Sequence, residues 1–236
     1  MTYAIKHPAH VRSLVLRGVF LFDVPSATFV FEQDGASETY PDLWERFAGH
    51  IPSGERMSLL HAYYRRVSSE DRSVCVPAAR ELVRWELSIS LLQHSPELIE
   101  DLVAKEDFIV PFARSLTHYA VRSAFFPGEE EEEENEAAAA SEDDGTTSRR
   151  LGAVGPGSKS TGFPWILRHL HQIAHIPTAI VHGRQDIVCR PRAAWEVYRR
   201  MENCTLEFVH DAGHAGSEPG TVDGLVRATD RFAVEV

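Results

Sequence analysis

The sequence predicts an α/β fold in which a block of helices interrupts a parallel sheet. Short apolar runs at Ser13–Arg17 and Thr178–His182 read as buried strands, the first covered on both faces, and Leu206–His210 reads as a further strand. Residues 163–236 alternate strand and helix at the spacing of parallel α/β units. Residues 37–126 have no such runs, and their apolar residues recur at helical spacing.

Taken in order, residues 1–22 read as a helix tail, a turn at His7-Pro8, and the first strand, closed by Gly18. Pro41 can start a helix over Asp42–His50. Ser53 can cap a helix over Gly54–Val67, with Leu59, Leu60, Tyr63 and Tyr64 on its apolar side. The longest helix is expected over Val76–Leu92, where Leu82, Val83, Trp85 and Ile89 surround Glu86. Residues 127–162 are low in complexity and too poor in apolar groups to offset the entropy of ordering, so disorder is expected there. A helix then runs from Phe163 to about His171. Helices over Ala193–Met201 and Thr221–Phe232 follow the second and third strands. The resulting organisation is a sheet core at 1–22, a helical lid at 23–126, the acidic insertion at 127–162, and the rest of the core at 163–236. Three strands are too few for an independent doubly wound domain, so the remaining strands are expected outside this chain.

At 236 residues the chain can bury a full core. The net charge of −11 is concentrated in residues 129–144, which hold ten acids and no base. What remains is nearly neutral and has no basic stripe, which argues against a nucleic-acid partner. No apolar run reaches membrane length, and Met1–Pro8 resembles neither a signal peptide nor a transit sequence. Three widely spaced cysteines suggest no disulfide framework, so a reducing, cytoplasmic location is expected. No cofactor motif is present. His171 and His175 have a metal-capable spacing but lack a third ligand, so no metal site is expected.

Chemistry is suggested by two motifs. His182-Gly183-Arg184-Gln185-Asp186 follows the second strand, and Gly213-His214 follows the third. An acid and then a histidine, each just past the carboxyl end of a parallel strand, match the second and third members of a nucleophile–acid–histidine triad. The first member should lie in Gly-x-Ser-x-Gly, and that motif occurs nowhere in the sequence. Plainer readings stand beside these. Asp186 could cap a turn, and Asp211 lies nearer to His214 in sequence. Glu86 could pair with Arg80 or Arg84, Phe20 and Phe31 could be core residues, and Cys189 could be a small buried filler.

Several segments in this order resemble proline iminopeptidase, a serine peptidase of the α/β-hydrolase fold. They are Ser13-Leu-Val-Leu-Arg-Gly-Val-Phe20, Gln33-Asp-Gly-Ala-Ser37, Trp85-Glu86, His182–Asp186 and Gly213-His214. Glu218-Pro-Gly220 and Ala228-Thr-Asp-Arg-Phe232 complete the set. The resemblance implies the carboxyl-terminal part of an α/β-hydrolase sheet of three strands, with an inserted lid. It also implies release of amino-terminal proline from peptides, with Asp186 as the orienting acid and His214 as the general base. Glu86 then matches the lid glutamate that meets the substrate's ammonium, and Phe20 and Phe31 match aromatics near the proline ring. The family's oxyanion segment, His-Gly-Gly-Pro-Gly, and its nucleophile segment, Gly-Gly-Ser-Trp-Gly, would both precede Met1. The chain alone is therefore expected to be inactive. A second lid glutamate is replaced by Leu116 in Ala113-Arg-Ser-Leu-Thr-His-Tyr119. That replacement keeps two alternatives open, another lidded hydrolase such as an esterase, or a non-catalytic fragment used for interaction.

Overall fold

A computed structural model describes residues 1–93, 95–127 and 164–235. Apart from Pro127, the acidic insertion read at 127–162 lies outside the described residues.

The chain enters through α1 (Thr2–Lys6) and a short 3₁₀ turn and reaches β1 (Leu14–Arg17). The helical block follows as α2 (Val24–Phe31), α3 (Pro41–Gly49), α4 (Leu59–Val67), α5 (Arg72–Ser90), α6 (Pro96–Val103) and α7 (Glu106–Ala120). The last stretch consists of α8 (Trp165–His169), β2 (Thr178–Gly183), α9 (Pro191–Tyr198), β3 (Cys204–Val209) and α10 (Pro219–Glu235). Among the described residues, no helix is long and apolar enough to cross a membrane.

The three strands form one parallel sheet in the order β1-β2-β3. Leu14 pairs with Thr178 and Thr178 with Cys204, and the register holds through Arg17–Val181 and Gly183–Val209. Side chains on a strand alternate between faces, and two separate cores result. Ile180 joins Ala4, Ile5, Leu170, Ile173, Ala194 and Val197 under α1, α8 and α9. Ala179 and Val181 join Val209, Ala228 and Phe232 under α10. Every residue of β2 is buried, as the apolar run predicts for a central strand. The same expectation fails for β1. Leu14, Val15 and Leu16 are only partly buried, because β1 is paired on one side only among the described residues.

The lid has a core of its own, in which Phe47 stacks between Tyr63 and Trp85 at centroid distances of 4.6 and 5.3 Å. The polar ends of those rings are satisfied: Tyr63 donates to the Phe47 carbonyl and Trp85 to the Val30 carbonyl. Val188 and Cys189 reach into this cluster from the loop after β2, so lid and sheet share buried contacts there.

Helix boundaries depart from the expectation where capping overrides periodicity. Ser53 caps nothing. Residues Ser53–Ser58 form a 3₁₀ turn, and the first amides of α4 are held by Glu32, whose carboxylate accepts from Leu59 and Leu60 at 2.9 and 3.2 Å. The long helix starts at Arg72 rather than Val76, because Asp71 accepts from the Ser73 amide at 2.8 Å. The helix expected at 163–171 is α8 followed by a 3₁₀ turn over Leu170–Ile173.

Candidate active site

Asp186 and His214 meet at the carboxyl edge of the sheet. Past Gly183 the chain turns back on itself, the Asp186 amide donating to the Gly183 carbonyl at 3.2 Å. The Asp186 carboxylate is 3% exposed and fully engaged. Its Oδ1 accepts from the Val188 and Cys189 amides at 3.0 and 2.7 Å, which leaves Oδ2 aimed at His214. His214 Nδ1 donates to that oxygen at 3.0 Å. A carboxylate oriented by two backbone amides cannot swing away, so the imidazole is held in one tautomer with Nε2 left as a proton acceptor. Asp211, nearer in sequence, is exposed.

A second histidine lies close to the same carboxylate without competing for it. His182 Nε2 is 3.6 Å from Asp186 Oδ2 but donates to the Cys189 carbonyl at 2.7 Å. Its burial lowers its pKa and keeps the ring neutral, so the charge of Asp186 remains directed at His214.

The histidine loop is held from two sides. Gly183 packs so closely that a Cβ there would lie 1.9 Å from the Gly213 carbonyl oxygen. Only glycine permits this approach of two backbones. From the lid, the Ser90 carbonyl at the end of α5 accepts from the His214 and Ala215 amides, each at 3.0 Å. Glu218 completes the clamp, with Oε2 accepting from the Gly213 amide at 2.6 Å and Oε1 from the Leu92 amide at 3.0 Å. Arg17, at the end of β1, donates to the His214 carbonyl.

Glu86 projects from α5 into the same region. It is 7% exposed, and its Oε2 has no hydrogen-bond partner among the described residues. Arg84 pairs with Glu81 and Glu100 instead, and Arg80 donates to the Val103 carbonyl. Burial raises the Glu86 carboxyl to about 7; the charge of His214 opposes this and that of Asp186 adds to it. The structure thus brings Glu86, Asp186 and His214 into one electrostatic neighbourhood. Phe31 is buried in the lid core, and Phe20 packs partly buried against the same core, edge-on to Phe22. Sequence reasoning missed the loop clamp. Glu218-Pro-Gly220 was visible as part of a motif, but the partners of Glu218 are backbone amides, which leave no mark in a sequence.

A parallel sheet with an aspartate–histidine pair on its carboxyl edge, beneath a helical lid, has the layout of an α/β-hydrolase. Sequence comparison gives the nearer relationship. The chain is 34% identical over 235 residues to the proline iminopeptidase of Xanthomonas citri, and the match covers 99% of this chain and 63% of that protein. The corresponding enzyme of Xylella fastidiosa strain 9a5c is also 34% identical, with 98% and 63% covered. That of Arabidopsis thaliana is 32% identical, with 98% and 52% covered. The chain is therefore a relative of the proline iminopeptidases along its whole length, and it spans between half and two thirds of theirs. No protein-family model matches it. An alpha/beta fold family hydrolase from Bacillus anthracis str. Sterne aligns at a TM-score of 0.40 and 13% identity, covering 98% of this chain and 59% of that one.

Proposed function

We propose that Asp186 and His214 are the acid and the base of a serine peptidase that releases amino-terminal proline from peptides. The observation that carries this reading is the 3.0 Å bond from His214 Nδ1 to a carboxylate already fixed by two amides. In this chemistry His214 Nε2 takes the proton of an attacking hydroxyl and returns it to the leaving amine. Asp186 stabilises the imidazolium in between. Glu86 receives the substrate's ammonium. A buried carboxylate oxygen without a partner is costly, and a cationic terminus supplies what it lacks. In this reading Phe20, only partly buried, borders the space for the proline ring, while Phe31 is packed within the lid core. The names of the relatives support the substrate.

The 236 residues contain no Gly-x-Ser-x-Gly, so they supply acid and base and take the nucleophile and oxyanion donors from sequence outside them. By themselves they do not turn over. Three free thiols, at Cys75, Cys189 and Cys204, support a reducing, cytoplasmic setting.

A second reading, a lidded esterase, is favoured by Leu116. It packs against the lid core at the position where the resemblance implies a second glutamate. Both readings are tested by joining the chain to the nucleophile and oxyanion segments of a relative and assaying release of arylamine from proline-arylamide. Turnover that disappears in His214→Ala is expected. Equal turnover of an amino-blocked substrate selects the esterase, and full activity of His214→Ala refutes both.

A further inference from the structure

Cys189 has no part in the chemistry proposed above, yet its thiol lies inside the site. Asp186, Cys189 and His214 each present one ligand atom within 4.8 Å of the other two. Asp186 and Cys189 are buried, and His214 is half-buried. A second observation shows where thiol and imidazole converge. A Cβ at Gly18 would lie 3.2 Å from His214 Cε1, 3.7 Å from His214 Nδ1 and 4.0 Å from Cys189 Sγ. Gly18 has φ +55°, a conformation that disfavours any side chain. The bare glycine thus lets the backbone pass within contact distance of both the thiol and the imidazole.

We propose that Asp186, Cys189 and His214 form a binding site for a thiophilic divalent cation, Zn²⁺ or Cd²⁺, and that its occupation disables the acid–base pair.

The donor set selects the ion. A thiolate, an imidazole and a carboxylate suit zinc and its congeners, whereas Mg²⁺ and Ca²⁺ require oxygen donors throughout. The charges balance, because one thiolate and one carboxylate neutralise a divalent ion and the histidine binds as a neutral ring. The protons balance as well. The Cys189 thiol releases its proton to solvent, and the His214 proton moves from Nδ1 to Nε2, which frees the Nδ1 lone pair. One metal–sulfur, one metal–nitrogen and one metal–oxygen bond form, and nothing is oxidised or reduced.

Geometry permits the site with a small contraction. Ligands about 2.0 and 2.3 Å from a tetrahedral zinc are about 3.5 Å apart. The thiol therefore closes on the other two donors by at most about 1.3 Å, while Asp186 Oδ2 and His214 Nδ1, 3.0 Å apart, separate slightly. Asp186 stays anchored through Oδ1, and His214, with 21% of its side chain exposed, is the member free to move. Solvent fills the fourth position. The metal takes Oδ2 and Nδ1, the two atoms whose hydrogen bond makes the pair, so the bound ion is an inhibitor and not a cofactor.

Metal binding is inferred from this geometry alone, while the inhibition rests on the function proposed above, so the test reads binding and fails independently of that reading. The 236-residue chain is titrated with Cd²⁺ while the thiolate-to-metal charge-transfer absorption is recorded. Zn²⁺ is titrated in competition with a chromophoric chelator. One equivalent is expected to bind with a thiolate band, and Cys189→Ser should lose the band and weaken Zn²⁺ at least about tenfold. Gly18→Ala keeps all three donors but presses a methyl group against the His214 ring and the Cys189 thiol, and a comparable weakening is expected. It carries the test alone if Cys189→Ser does not fold. Binding undiminished in either folded variant, or no stoichiometric binding by the parent chain, overturns the proposal. The assignments of Asp186 and His214 as acid and base would stand in either case.

Discussion

Glu86→Gln should remove a pH dependence from the stability of the fold. The Glu86 carboxyl sits at about 7 in the folded chain against an ordinary 4.5, because burial disfavours its charge. The folded state thus binds this proton more tightly than the unfolded state does. The stabilisation from the protonated form is complete below pH 4.5 and is lost as pH rises through 7. At about 1.4 kcal/mol per pKa unit, the difference comes to about 3 kcal/mol. Glutamine has nearly the same shape and no proton to lose. Urea denaturation of both proteins across pH 4 to 9 supplies the measurement. The stability of the variant relative to the parent should be flat below pH 4.5, climb from there to about 7, and level off above about pH 8, near 3 kcal/mol higher. A constant offset between variants would reflect the amide's own hydrogen bonding, so only the pH-dependent part counts. Parallel curves would mean that Glu86 is ionised and paired in the folded chain. That result would end the argument that the site holds a carboxylate awaiting a cation.

In a polypeptide that includes the nucleophile, Asp186→Asn should lower kcat by about four orders of magnitude, the loss typical of a misoriented catalytic histidine. Asparagine keeps an oxygen for the Val188 and Cys189 amides, so the melting temperature should change little; near-normal turnover would remove Asp186 from the site. Gly183→Ala places a Cβ 1.9 Å from the Gly213 carbonyl oxygen and 2.7 Å from that of Ala212, both of them backbone atoms unable to rotate away. It should cost about 3 kcal/mol in denaturant unfolding, and an unchanged midpoint would contradict the close approach. Glu218→Ala leaves the Gly213 and Leu92 amides without their acceptor and should cost about 2 kcal/mol. Hydrogen exchange at those two amides should quicken, and unaltered protection would show that the clamp does not hold the loop.

What could be read in the sequence was whatever repeats with a period or follows a strand. The three strands, their parallel order and the meeting of Asp186 with His214 all came from apolar runs and from residues placed just beyond them. Features that depend on distant partners left no trace. Ser53 looked like a helix cap, while the amides of α4 are held by Glu32, a residue separated from them by α3 and two 3₁₀ turns. Arg84 and Arg80 stood close enough along α5 to pair with Glu86. The structure turns Arg84 to Glu81 and Glu100 and leaves Glu86 Oε2 without a hydrogen bond among the described residues. Glycines were the least legible of all. Gly183 and Gly18 owe their places to backbone and side-chain atoms supplied from elsewhere in the chain, and a sequence records only that no side chain is there.

The lid therefore does more than cover the sheet. Helix α5 carries Glu86, and at its end the Ser90 carbonyl holds the amides of His214 and Ala215. The two points are one turn apart and are tied together by the Ser90 hydroxyl, which donates to the Glu86 carbonyl at 2.7 Å. One short stretch of helix thus sets the spacing between the proposed ammonium partner and the proposed base. That spacing is what removal of a single terminal residue demands, because the ammonium and the scissile carbonyl of such a substrate are separated by only one α-carbon. A base mounted on an independent loop would have to find this distance afresh with each substrate. Here the proposed base and the proposed recognition carboxylate are referred to one turn of α5, so in this reading binding energy gained at Glu86 is delivered at the geometry of His214.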